Sequence, residues 1–195
     1  MNPFNKLRLK ALEKKAHALF LKREQSANIN VKPEVKVLLA LAKLYDKHRF
    51  KKSTPNAESI ALEYYRAAAL LGDTEAQYQF AQRYIEKAKF WDLLAKGVYG
   101  LPIHTEYAKS LYEEAFTYLK RAEAEGYPLA IRLQGLTYVN GWGREPDKEQ
   151  GYRLIANSIK EEGAWDKAHK IVAALGLDSK EFFASIMMLK EGRRL

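Results

Sequence analysis

Apolar residues recur every three or four positions along most of the chain, which is the period of an α-helix with one buried face. The pattern is clearest from Ala61 to Tyr84, where two such runs lie on either side of Gly72. Glycine suits the left-handed residue that ends a helix, and Asp73 or Thr74 can cap the helix that follows. This stretch is therefore predicted to be a helix–turn–helix hairpin.

The same period predicts helices along the rest of the chain. A first helix is predicted over residues 7–23 and a second over about 34–46, before a basic loop. After the hairpin the period continues to residue 95, and a loop is expected at 96–104. Further helices are predicted at 105–125, at 129–138, from 147 to a turn at 163, at 165–175 and at 178–191. No stretch alternates with a period of two, so the predicted fold class is all-α.

The hairpin recurs when the chain is aligned on Gly72, Gly126 and Gly163. Small and large apolar residues then alternate in matching positions, as close helix–helix packing needs. Eleven residues before the glycines stand Ala61, Ala115 and Tyr152, and four before stand Ala68, Ala122 and Ile159; nine after stand Ala81, Gly135 and Val172, and twelve after stand Tyr84, Tyr138 and Leu175. The longer spacing between the first two glycines is interpreted as an insertion at about residues 87–104.

These positions resemble the Sel-1-like repeat family, a relative of the tetratricopeptide repeat. The family pattern has a helix ending in Ala-Ala-x-x-Gly, then Ala, Leu-Gly and Tyr, then a Gly-x-Gly turn and an Asp. The first unit supplies Ala68, Ala69, Gly72, Ala76, Phe80, Ala81 and Tyr84, and the second supplies Gly126, Ala130, Gly135, Tyr138, Gly141, Gly143 and Asp147. The chain departs from the pattern at Gln134, in the Leu position, and at Lys167, where a small Ala is expected.

The resemblance implies an α-solenoid, an α-α superhelix of about three to four stacked hairpins. It divides the chain into a basic N-terminal helical segment at 1–53, repeats at 54–177 and a C-terminal capping helix at 178–195. Phe182, Phe183, Ile186 and Met187 are expected to face inward on that last helix. The resemblance also implies a non-enzymatic adaptor or scaffold, because the family commonly serves in bacterial signalling, secretion or host-interaction assemblies.

In tetratricopeptide-like stacks, the first helix of each pair lines the concave binding surface. Carried over by position, this implies contacts with a protein or peptide partner, which the basic residues suggest is acidic. The implied residues are Glu63, Tyr64, Arg66, Tyr112, Lys120, Arg121 and Arg153. Tyr and Arg are common binding anchors, but each of these positions also fits an ordinary surface or core residue.

The insertion concentrates apolar side chains within a short span. They are Phe90, Trp91, Val98, Tyr99, Leu101 and Ile103. Either they pack back on the repeats, which we favour, or they form an exposed apolar patch that docks a partner. Phe90, Trp91 and Tyr99 are the candidate contact residues in the second case.

Charge is unevenly distributed along the chain. Residues 1–53 hold 14 of the 33 Lys and Arg and 4 of the 24 Asp and Glu, a net charge of +10, whereas the rest of the chain carries −1. Such a block attracts an acidic protein, a nucleic acid or an anionic membrane surface, although a solvated helix face is the simpler interpretation. The candidate contacts are Lys10, Lys14, Lys15, Arg23, Lys47, Arg49, Lys51 and Lys52. Few aromatic residues lie between them, which weakens a base-stacking role.

No motif for catalysis, metal binding or cofactor binding is present in the sequence. There is no cysteine, and His17, His48, His104 and His169 are far apart and form no HExxH. The glycines at 141 and 143 lack the rest of a phosphate-binding loop. There is also no apolar run of about 18 residues and no secretory-signal pattern. We therefore predict a non-enzymatic protein without a transmembrane segment. A cytoplasmic location is expected, with association to a membrane complex or secretion without a cleavable signal left open.

Overall fold

The computed structural model describes residues 3–26, 29–47, 56–177 and 179–193, and these residues form helices, turns and no strand. The all-α fold class is confirmed for this part of the chain. The helices are α1 (Pro3–Glu24), α2 (Lys32–Asp46), α3 (Ala57–Leu70), α4 (Thr74–Ala95), α5 (Pro102–Ala124), α6 (Pro128–Asn140), α7 (Lys148–Glu161), α8 (Ala168–Ala174) and α9 (Lys180–Lys190). A short 3₁₀ helix, Trp165–Lys167, leads into α8.

The chain divides into two compact units, Met1–Phe80 and Ala81–Leu195. In the first unit, α2 packs against both α1 and α3. In the second unit, α6 packs against α5 and α7, and α7 also packs against α9. Each unit is therefore built mainly from helices that are neighbours along the chain.

The three glycines on which the sequence was aligned adopt the left-handed conformation, as do Gly141, Gly143, Gly176 and Gly192. The φ angle is 89° at Gly72, 69° at Gly126 and 62° at Gly163. At each site the glycine N–H donates to the carbonyl three residues back, and the next N–H donates to the carbonyl five residues back, at 2.8–3.2 Å. These are Schellman closures, which satisfy the last carbonyls of a helix. The predicted turns are confirmed, and Asp73 Oδ1 caps α4 by accepting from the Ala76 N–H at 2.8 Å.

Burial agrees at four of the six equivalent positions around these three glycines. Residues eleven before, four before and nine after the glycine are all buried, and those twelve after are all half-buried. Eight before and eight after it, Tyr64 and Ile171 are half-buried whereas their counterparts are buried. At the departure from the pattern, Gln134 Nε2 donates to Glu123 Oε2 at 2.8 Å, while Gln134 Oε1 has no hydrogen-bond partner among the described residues. The match between the three hairpins is therefore partial.

Residues 87–104, which were interpreted as an insertion, extend helices α4 and α5, whereas a loop was expected at 96–104. Helix α4 continues to Ala95 and α5 already begins at Pro102, so residues 96–101 alone connect them. Proline fits the first turn of a helix because its missing N–H has no partner there. The connection closes tightly: a Cβ added to Gly100 would lie 1.9 Å from the Ala95 carbonyl oxygen.

Helix α9 covers α7 with part of its predicted face. Phe182 and Ile186 are buried, and the Phe182 ring meets the Tyr152 ring edge-on at 4.4 Å. The expectation for Phe183 is wrong, because one further residue turns the side chain about 100° around the helix and leaves it 40% exposed. Ser179 Oγ caps the helix by accepting from the Phe182 N–H at 3.1 Å. Asp178, predicted to open this helix, lies outside the described residues.

Tyr112 carries a buried hydroxyl that has no hydrogen-bond partner among the described residues. Such a group costs about 1–3 kcal/mol. Tyr112→Phe is therefore expected to raise the free energy of unfolding at neutral pH by about 1 kcal/mol, as measured by urea unfolding. A less stable Phe variant would contradict this expectation.

The same substitution is expected to change the response to alkaline pH. Burial, with a smaller contribution from the charge of Asp92, raises the pKa of Tyr112 to about 12. The unfolded tyrosine ionises near pH 10, so the wild type loses stability as the pH rises from about 10 towards 12. Tyr112→Phe should lose less over that window, and equal losses would contradict the expectation.

Candidate interaction surfaces

The extended parts of α4 and α5 are held together by aromatic contacts. The Trp91 ring centroid lies 5.1 Å from that of Tyr107 and 5.4 Å from that of His104. Lys87 Nζ lies 5.4 Å from the Tyr107 ring centroid, so a cation also faces this pair. Trp91 is half-buried, and it joins the two helices just before their connection.

Hydrogen bonds order the connection itself. The Gly97 N–H donates to the Leu94 carbonyl at 3.1 Å, and the Gly100 N–H donates to the Gly97 carbonyl at 2.9 Å. At the start of α5, the His104 N–H donates to the Leu101 carbonyl at 2.9 Å, while the Leu101 N–H donates to His104 Nδ1 at 3.2 Å. The side chains on this connection are therefore displayed by a closed turn.

Helices α4 and α5 form a further antiparallel pair. Six large apolar side chains at and beside the connection between α4 and α5 are exposed, and we call them the hairpin tip. Val98 is 96% exposed, Tyr99 85% and Leu93 72%. The other three members, each more than half exposed, are Phe90, Leu101 and Ile103. The favoured packing interpretation is therefore wrong for five of the six apolar residues to which it was applied, and Trp91 is the exception.

A basic cleft of about 360 Å³ lies between α7, the 3₁₀ helix and α9. Its lining is Arg153, Ala156, Asn157, Lys160, Trp165, Leu189, Gly192 and Arg193. Three cations and an indole ring thus face one cavity, and no carboxylate appears among the described residues that line it. Outside the cleft, Arg153 pairs with Glu149 and Arg193 with Glu191. The cleft is suited to a chain segment that carries both a carboxylate and an apolar group.

The residues predicted for a concave face are in different environments. Glu63 and Arg66 are exposed on α3, whereas Tyr64 is half-buried and stacks on Tyr45 with ring centroids 5.9 Å apart. In the second unit, Lys120 and Arg121 are exposed on α5 and Arg153 lines the basic cleft. Tyr112 is 3% exposed, so its ring belongs to the core, where it stacks on Phe116.

The basic N-terminal candidates are also of two kinds. Lys10, Lys14, Lys15 and Lys47 are exposed. Arg23 instead donates through Nε to Glu34 Oε2 at 3.1 Å, and Glu34 is buried. A buried carboxylate needs such a partner, so Arg23 is committed to the packing of α1 on α2. Arg49, Lys51 and Lys52 lie outside the described residues.

Three cation–π contacts, which the sequence did not suggest, surround the turn at residues 141–143. The Arg144 guanidinium carbon lies 3.8 Å from the Phe116 ring centroid and 4.1 Å from that of Tyr138. Lys89 Nζ lies 3.8 Å from the Trp142 ring centroid. Burial lowers the pKa of Arg144. The turn is thus part of the packed structure of the second unit.

No protein-family model matches the chain, and no curated protein matches it at a significant level. In the part of the chain that the structure describes, no three His, Asp or Glu side chains are grouped so that they could hold a metal ion. Among the same residues, no helix is long and apolar enough to cross a bilayer. The hairpin tip, the basic cleft and the exposed lysines of α1 are candidate interaction surfaces.

Proposed function

We propose that the protein is a non-enzymatic interaction module, and that its hairpin tip docks a protein partner. The observation that carries this proposal is the exposure of six large apolar side chains within residues 90–103. Soluble monomers rarely leave contiguous apolar patches of this kind uncovered unless the patch is a binding surface. Because the connection is hydrogen-bonded, little conformational entropy is lost when a partner covers it.

The module is proposed to be a short stack of Sel-1-like hairpins. Burial that agrees at four of the six aligned positions around Gly72, Gly126 and Gly163 supports this proposal. The hydrogen bonds of these turns agree with it, but they also close the helices at Gly141, Gly176 and Gly192. Stacks of this kind recognise partners through extended surfaces and need no catalytic group. The Sel-1-like pattern thus agrees with a binding role.

The partner is proposed to present carboxylates beside an apolar surface. Arg153, Lys160 and Arg193 would face such carboxylates in the basic cleft, and Trp165 would pack on their apolar neighbours. Charge complementarity of this kind adds mainly to association rate and specificity, while the apolar contact supplies most of the affinity. The hairpin tip would therefore supply most of the affinity, and the basic cleft would add association rate and specificity.

A triple variant, Val98→Ser/Tyr99→Ser/Leu101→Ser, tests the role of the tip. All three side chains are more than half exposed, so the melting temperature is expected to stay unchanged. Loss of about 3 kcal/mol of apolar contact would weaken partner binding roughly 100-fold. The measurement is affinity capture with mass spectrometry, followed by titration of each captured protein.

The matched control is Leu70→Ser/Leu129→Ser, which removes exposed leucines from outside the tip. This control variant should keep every partner of the wild type. If the tip variant also keeps them all, with unchanged affinity, the proposed docking role is wrong. If binding is lost equally in both variants, the tip has no special part in it.

A further inference from the structure

Helix α1 carries two stripes of residues on opposite faces, and its inner stripe is fully used in packing. The inner stripe is Leu9, Leu12, Glu13, Ala16, Leu19 and Arg23, all partly buried at helical spacing. Leu9 packs against the cluster of Tyr45, Ala57 and Ala61. The Tyr45 hydroxyl donates to Glu13 Oε1 at 2.9 Å, and Arg23 pairs with Glu34. This face holds α1 on the first unit.

The outer stripe is Phe4, Leu7, Ala11, Lys14, Ala18 and Leu21, spaced alternately by three and four residues. Since successive residues turn about 100°, this stripe lies on the side of α1 opposite the packed one. All six residues are exposed; Phe4 and Leu7 are each 72% exposed and Leu21 is 44% exposed. Helix α1 therefore presents a second apolar line that the first unit does not cover.

Cations flank this outer stripe on both sides. Arg8, Lys15 and Lys22 lie along one side of it, and Lys6 and Lys10 lie along the other, all exposed. Lys14 stands within the stripe itself. The two acids of α1 do not offset this charge: Glu13 faces α2, and Glu24 Oε1 lies 3.4 Å from Arg23 Nη1. The outer face thus combines an apolar line with six cations.

We infer that the outer face of α1 binds the surface of a lipid bilayer that contains anionic headgroups. The helix lies in the plane of the interface, Phe4, Leu7 and Leu21 enter the acyl boundary, and the flanking cations meet the headgroups. Lys14 within the stripe and the five cations beside it suit a surface that is anionic along its whole length, as a mixed bilayer is. A protein groove would have to place a carboxylate against the Lys14 ammonium among its apolar contacts, whereas at a bilayer the long Lys14 stem lets the charge reach the headgroups.

A nucleic acid fits this face less well than a bilayer does. The cations alone suit a phosphate backbone, but three exposed large apolar side chains gain nothing from phosphates and sugars. The sequence also offers few aromatic side chains for base stacking in this segment. A bilayer interface contacts both the apolar line and the charges. Substitution of the apolar line alone therefore distinguishes a bilayer from a nucleic acid.

The test is flotation of the full chain with vesicles of phosphatidylcholine alone or of phosphatidylcholine mixed with phosphatidylserine. The wild type is expected to float with the mixed vesicles and to bind phosphatidylcholine alone at least about tenfold more weakly. Phe4→Ser/Leu7→Ser/Leu21→Ser keeps every charge and is expected to weaken binding to mixed vesicles at least about tenfold. Leu70→Ser/Leu129→Ser and the tip variant should bind like the wild type, which separates this inference from the docking role of the tip.

Several outcomes would overturn the inference. If Phe4→Ser/Leu7→Ser/Leu21→Ser, the stripe variant, binds mixed vesicles as the wild type does, charge alone accounts for the binding. Binding of the wild type to duplex DNA or RNA but not to mixed vesicles would assign the face to nucleic acid. Concentration-dependent dimerisation that the stripe variant abolishes, without vesicle binding, would assign it to a second copy of the chain. Circular dichroism of each variant confirms that α1 is still folded in these comparisons.

Discussion

Gly151→Leu is expected to lower the free energy of unfolding by about 3 kcal/mol, among the largest effects of a single substitution in this chain. Helices α6 and α7 cross where Gly135 faces Gly151. A Cβ on Gly151 would lie 2.5 Å from Val139 Cγ2, 2.7 Å from the Gly135 carbonyl oxygen and 3.0 Å from the Val139 backbone nitrogen. Leucine is a better helix former than glycine by about 0.8 kcal/mol. A net loss of stability would therefore show that the steric clash at the helix crossing outweighs helix propensity.

Two further variants make this prediction specific. Gln150→Leu places the same side chain at the neighbouring exposed position and should change stability by less than about 0.5 kcal/mol. Val139→Ala removes one of the crowded atoms but should not rescue Gly151→Leu, because the Gly135 carbonyl remains in place. Urea unfolding followed by circular dichroism measures all three. Equal midpoints for the variants at 150 and 151 would mean that the two helices are not in close contact.

Gly143→Ala is expected to cost about 3 kcal/mol, for two separable reasons. The φ angle of Gly143 is 66°, which an L-residue adopts at a cost of about 1–2 kcal/mol. The added Cβ would also lie 2.3 Å from Tyr112 Cγ, inside the aromatic ring's contact distance. Gly126→Ala isolates the first cost, because Gly126 has a φ of 69° and no atom within 4 Å of its added Cβ. Gly126→Ala should therefore cost about 1 kcal/mol.

A double-mutant cycle measures the steric part of the Gly143 effect directly. Tyr112→Leu removes the ring, so the cost of Gly143→Ala should fall towards that of Gly126→Ala in this background. A coupling free energy of about 1–2 kcal/mol is expected between positions 112 and 143. Strict additivity would show that the alanine methyl does not press on the tyrosine ring.

Local features of this fold could be predicted from the sequence because they depend on a few consecutive residues. The glycine at 72 and the aspartate at 73 specify a turn and a cap by their own conformational and hydrogen-bonding preferences. The turns at Gly126 and Gly163 could be predicted in the same way. These preferences act within a turn or two of helix and need no knowledge of the tertiary structure.

Whether a given apolar side chain is buried or exposed could not be predicted in this way. Helical periodicity identifies a stripe but does not say whether another helix covers it. Five of the six apolar residues that were favoured to pack within residues 90–103 are exposed, and the apolar line on the outer face of α1 was not predicted. The Arg144 contacts were missed for a related reason. Phe116 is 28 positions away in the chain and reaches Arg144 only after α5 and α6 have folded back on each other.

The insertion that separates the first two glycine turns has a consequence for how the chain can vary. The hairpin tip lies at the far end of two lengthened helices, and the turns at Gly72 and Gly126 close with the same hydrogen bonds as the turn at Gly163. Because the exposed tip residues contribute little buried area, substitutions there are nearly free of folding cost. The tip can therefore change in sequence while the turns and the packed helices stay as they are.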